Sequence, residues 1–151
     1  MAVFKPLLEV DQDKSVGGRI VIGSVTGDIH DIGKNLVATM LSVGGFEVVD
    51  LGVGVGAMDF IKAAKKESAD IIALSSLMTT TLPYQREVLD LLREMGLRDK
   101  YFIIVGGGPV TPEFATEVGA DGWAENAALA VSLCTTLMTS GDAPATKTVL
   151  A

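Results

Sequence analysis

The chain has 151 residues, 48% of them apolar and 21% charged, which fits one globular domain and excludes a disordered chain. Its formal charge is −7 and it has no cluster of Lys or Arg, so no nucleic acid or membrane partner is expected. No apolar run reaches the roughly 18 residues of a membrane span, and residues 1–10 lack the long apolar stretch of a secretion signal.

Five segments read as buried strands, each followed by a helical stretch. The first is Arg19–Ser24, and after a polar loop Lys34 to Val43 reads as a helix closed by Gly44-Gly45. The second is Glu47–Leu51, ending in the glycine-rich run at 52–56, with a helix over roughly Met58 to Lys66 that points Ile61 and Ala64 inward. The third, Ile71–Ser75, has no polar residue before its last position, so both of its faces are expected to be covered. Thr81 is a candidate N-cap for a helix from about Pro83 to Met95. The fourth strand is Tyr101–Val105, running into Gly106-Gly-Gly-Pro109; a short helix at Pro112–Val118, a strand at Gly122–Ala124 and a helix at Ala127–Met138 follow.

Regular alternation with short connections implies parallel strands and right-handed crossovers. The expected architecture is therefore α/β: a doubly wound, flavodoxin-like (Rossmann-like) five-stranded parallel sheet over residues 19–139. Residues 140–151 read as a frayed tail, and residues 1–18 stand outside the pattern. The single cysteine, Cys134, lies among small and apolar residues and reads as a buried filler, with a reducing cytoplasm as the simple setting. Met58 and Met78 read as core residues, with a ligand-facing role as the alternative.

An open parallel sheet binds ligands at the carboxyl ends of its strands. This chain places the polar loop Thr26–Asn35 there, facing glycines 52–56, the hydroxyls of Ser75, Ser76 and Thr79 to Thr81, and glycines 106–108. A Walker loop fails, because five residues separate Gly27 from Gly33 and Asn35 follows Lys34. A dinucleotide fingerprint fails because the glycine run follows the second strand with the wrong spacing. A phospho-acceptor receiver fails because Ser75 stands where an aspartate is needed. A Ser75-His30-Asp28 triad lacks the nucleophile elbow that would expose Ser75.

What remains is Asp28-x-His30, around the only histidine in the chain. Residues two apart on an extended loop point the same way. The carboxylate can then hold the proton on one ring nitrogen and free the other as a fixed-tautomer metal ligand. One histidine is a poor site for a free metal ion, which needs three or four protein ligands. It suffices where the metal arrives in a macrocycle with an axial position open. The other reading of His30 is a helix cap or a bond to a loop carbonyl.

Asp28-x-His30-x-x-Gly33, then Ser75-x-Leu77 after 41 intervening residues and Gly106-Gly107 after 28 more, resembles the signature of cobalamin-binding domains. Gly27–Asn35 is most similar to the methyltransferase corrinoid proteins. The resemblance implies a cobalamin or related corrinoid as cofactor, with His30 on the cobalt in place of the cofactor's own base and Asp28 bonded to His30. It implies Thr81 as the hydroxyl continuing that relay, although Thr81 also has its N-cap reading. Asp31, Ile32, Gly33, Ser75, Leu77, Thr79, Gly106 and Gly107 are the further cofactor-binding positions it implies. Ser75 and Thr79 would bond the displaced nucleotide tail, and Gly33, Gly106 and Gly107 would let it pass.

The function implied is a methyl carrier, itself without a catalytic residue, serving methyltransferase proteins that donate and accept the methyl group. The alternatives are the small subunit of an adenosylcobalamin mutase and a cobalamin-dependent sensor. Relatives of the carrier kind usually have a helical cap ahead of this domain; Met1–Leu8 reads as a remnant of it and Asp11–Gly18 as a linker, in a trimmed or naturally short form.

Overall fold

A computed structural model describes residues 18–28, 30 and 32–151; the expected cap remnant and nearly all of the linker lie outside them. Six strands are present: β1 (Arg19–Ser24), β2 (Glu47–Asp50), β3 (Ile71–Ser75), β4 (Phe102–Gly106), β5 (Gly122–Trp123) and β6 (Val149–Leu150). They form one sheet in the order β2-β1-β3-β4-β5-β6, and every neighbouring pair is parallel. The helices are α1 (Ile32–Val43), α2 (Ala57–Glu67), α3 (Leu82–Glu94), α4 (Pro112–Val118) and α5 (Ala127–Thr139).

The sheet is covered on both sides, which is why its central strands read as unbroken apolar runs. On one face Val21, Ile72, Leu74, Ile103 and Val105 pack against Phe60, Ile61 and Ala64 of α2, Leu89 and Leu92 of α3, and Ala115 of α4. On the other, Ile20, Ile22, Ile71, Ala73 and Ile104 meet Leu41 of α1 and Leu133, Cys134 and Leu137 of α5. Cys134 is fully buried, and burial pushes its thiol up to about 12, so it packs and does not react at neutral pH. Helix starts follow local chemistry: Thr111 caps α4 by accepting from Phe114 N, ahead of Pro112, and Asn126 caps α5 by accepting from Leu129 N.

Two expectations need correction. Met58 and Met78 are not in the core; they are 42% and 36% exposed. The sheet has six strands, not five, because the tail that reads as frayed supplies β6. A two-residue strand leaves no alternating pattern to read, and the tail is held by tertiary contacts instead. Asp121, 1% exposed, receives Ile103 N at 2.7 Å on one oxygen and Ala145 N at 2.6 Å on the other. It also faces the buried Arg98 guanidinium at 3.0 Å.

Asp121→Ala should therefore lower unfolding stability by about 3–5 kcal/mol, since it strands a buried guanidinium and two amides. A urea melt with an unchanged midpoint would contradict this account of how β6 is held.

Candidate functional site

The strands end in a row of small residues. Ser24 of β1 pairs with Ser75 of β3, and Ser75 with Gly106 of β4. Beyond that row the chain turns into loops, and the first of them carries Asp28 and His30.

Asp28 is completely buried beneath the loop. Its Oδ1 accepts from His30 N at 3.1 Å and lies 3.0 Å from His30 Nδ1. Its Oδ2 accepts from Leu77 N at 2.6 Å and from the Thr81 hydroxyl at 3.0 Å. Burial alone would raise the carboxyl's pKa. The bonds from Leu77 N, His30 N, the His30 ring and Thr81 outweigh it and hold the group at about 2. The ionised carboxylate can only accept, so Nδ1 carries the ring proton and donates it. In the neutral ring Nε2 then has a bare lone pair, on a side chain 44% exposed.

The backbone around this pair is held from below. Ser24 Oγ donates to the His30 carbonyl at 2.8 Å, and Gly54 N donates to the Asp28 carbonyl at 2.9 Å. Lys34, in the first turn of α1, is buried and bonds both Asp50 oxygens at 2.7 Å and Asn35 Oδ1 at 2.6 Å. That pair ties the start of α1 to the end of β2. Ser24, Gly54 and Asp50 carry no motif, and Lys34 stands in the string Gly27–Asn35 with no role assigned to it there. The signals that were available are a polar last residue on an apolar strand and a cation placed at the unfavourable positive end of a helix.

Thr81 stands at the N-cap of α3, yet its side chain caps nothing; its hydroxyl lies within reach of Asp28 and of the Met78 carbonyl at 2.9 Å. Leu77 acts on Asp28 through its amide while its side chain is exposed.

Beside His30, between the sheet and helices α1 and α5, lies a cavity of about 300 Å³. His30, Gly33, Ser75, Leu77, Gly106 and Gly107 all line it. Thr79 and Ile32 do not; both are exposed outside it. Asp31 lies outside the described residues. A Cβ on Gly33 would meet nothing within 4 Å, and one on Gly106 only the Ala124 carbonyl oxygen at 3.8 Å, so local packing does not demand glycine at either. Gly107 differs: its φ is +121°, and a Cβ there would overlap the Ser76 carbonyl.

No group of three or more His, Cys, Asp or Glu side chains able to hold a metal ion occurs among the described residues. What the site offers is one oriented imidazole at the mouth of a deep slot, a fit for a metal already held by a macrocycle with a long appendage.

The comparisons agree with that chemistry. The family model described as the B12 binding domain matches residues 18–132, and the chain belongs to that family, whose cofactor is cobalamin or a related corrinoid. Dimethylamine corrinoid protein 3 of Methanosarcina mazei is 52% identical over 129 residues, covering 85% of this chain and 77% of that protein. The solved monomethylamine corrinoid protein of Methanosarcina barkeri superposes with a TM-score of 0.78 at 40% identity, over 91% of this chain and 65% of its own. A chain of the methanol:cobalamin methyltransferase complex MtaBC from Methanosarcina barkeri gives 0.79 at 35% identity, over 85% of this chain and 49% of that one. This chain thus spans 65% and 49% of those two solved chains. No helix among the described residues is long and apolar enough to cross a membrane.

The carboxylate's role as a hub gives a prediction on the protein without cofactor. Asp28→Ala leaves the Leu77 amide without its acceptor and should destabilise the fold by about 1–3 kcal/mol. Denaturant unfolding that matches the parent chain would contradict it.

Proposed function

We propose that this protein carries a methyl group on a corrinoid between methyltransferase proteins, with His30 as the lower axial ligand of the cobalt. The observation that carries the reading is the Asp28–His30 pair. A buried, ionised carboxylate holds Nδ1–H at 3.0 Å, which leaves Nε2 free at the mouth of the cavity. The bound corrinoid supplies the cobalt on which methyl groups are exchanged.

The chain's own residues orient and receive that group. Asp28 fixes the tautomer of His30, and Leu77 N and Thr81 keep Asp28 ionised and in place. Ser24 holds the His30 carbonyl, which anchors the backbone that presents the ring. The slot takes the displaced nucleotide tail: Gly33 and Gly106 leave room for it, and the half-buried Ser75 offers a hydroxyl at the rim. Thr79, exposed outside the cavity, would meet the tail only where it emerges. Ile32, 86% exposed at the start of α1, belongs to the surface over which the macrocycle would lie, while Asp31 is carried as a cofactor-binding position by the motif alone.

A carrier is favoured over a mutase subunit or a sensor because the relatives named above are corrinoid proteins and a methyltransferase complex. Its partners would then be one methyltransferase that loads the methyl group and another that removes it, in a cytoplasmic setting.

The test is the UV–visible spectrum of the protein with methylcobalamin. The parent chain should show the cofactor's own base displaced and histidine on the cobalt, and His30→Ala should lose that signature. A variant spectrum identical to the parent's would overturn the assignment.

A further inference from the structure

The slot beside His30 is layered. Its rim is polar: His30, Ser75, Glu125 and Asn126 lie at or beyond the strand ends. Two residues further down each central strand, roughly 7 Å below the rim, lies the row Ile22–Ala73–Ile104, in register across β1, β3 and β4. Side chains alternate along a strand, so this row points to the same side as the Ser24–Ser75–Gly106 row above it. Ala73 is the small member between two isoleucines, which makes the depression, and Ala130 of α5 closes it from the helix side.

This floor has no free hydrogen-bonding group. The side chains of the row are aliphatic, and its backbone groups belong to strands paired on both sides. Lys34, the one cation among the described lining residues, is committed to Asp50 and Asn35. Corrinoids differ in the base that ends the nucleotide tail. A purine base carries ring nitrogens and an amino group on its outer edge, whereas a benzimidazole presents carbon there. Burying polar edge groups without partners is costly.

We infer that the floor row selects corrinoids by their lower base, taking benzimidazole-type bases over purines. The inference rests on the reading of the slot as the seat of the displaced tail, and it adds which tail the slot accepts.

The test compares dissociation constants for benzimidazolyl and adeninyl cobamides with the parent chain and with Ala73→Ser, which puts a hydroxyl into the floor. Freeing each base from cobalt in solution costs a different amount, so the deciding quantity is the change in the ratio of the two constants between the proteins. That difference cancels in the change. The parent chain should favour the benzimidazolyl form about tenfold or more, and Ala73→Ser should narrow the ratio at least threefold. Ile104→Thr, on the neighbouring strand of the same row, should narrow it likewise and stands in if the first variant does not fold. A ratio unaffected by either variant overturns the inference while leaving corrinoid binding intact. Failure of the parent chain to bind either cobamide overturns both this inference and the cofactor reading beneath it.

Discussion

The site depends on one buried charge. Asp28 lies at zero exposure, and a carboxylate in that position would ordinarily take up a proton. Four donors prevent it: the Leu77 amide, the His30 amide, the His30 ring and the Thr81 hydroxyl. They come from the loop after β1 and from the segment between β3 and α3, so the carboxylate ties two separate strand ends to one point. The same bonds decide the tautomer of the imidazole. Fold stability at this corner and the orientation of the His30 ring therefore have a common origin.

The parallel sheet provides the setting. Strand ends collect at one edge, and the residues there are chosen for smallness: Ser24, Ser75 and Gly106 in register. Below them the sheet returns to aliphatic side chains. A polar rim over an apolar floor suits a ligand with a hydrophilic linker and a flat hydrophobic end. The glycines divide: Gly107 is demanded by its own backbone, whereas Gly33 and Gly106 line the cavity at positions where local packing would admit a side chain.

Much of this was legible in the sequence because it is written in local patterns. The apolar runs at Arg19–Ser24, Ile71–Ser75 and Tyr101–Val105 announce buried strands, and the short helix at Pro112–Val118 is read with its bounds. The bond between Asp28 and His30 follows from their spacing. What was hidden depends on tertiary partners. β6 exists because Asp121 and the edge of β5 hold residues 145–151, and nothing in the tail's own composition records that. Thr81 had two readings, and only its position over Asp28 separates them. Lys34 gains its meaning from Asp50, sixteen residues away on β2. Met58 and Met78 read as core by residue type, but both are exposed, Met58 in the first turn of α2 and Met78 just ahead of Thr79–Thr81.

Because the chain has one histidine, isotope labelling addresses it alone. The most direct measurement is the electron paramagnetic resonance spectrum of the cob(II)alamin-loaded protein, grown with natural histidine and with ¹⁵N-histidine. Ligation by His30 predicts that each cobalt line, split into three by ¹⁴N, becomes split into two on labelling. A splitting that labelling leaves unchanged would mean the lower ligand is the cofactor's own base, and would contradict the account.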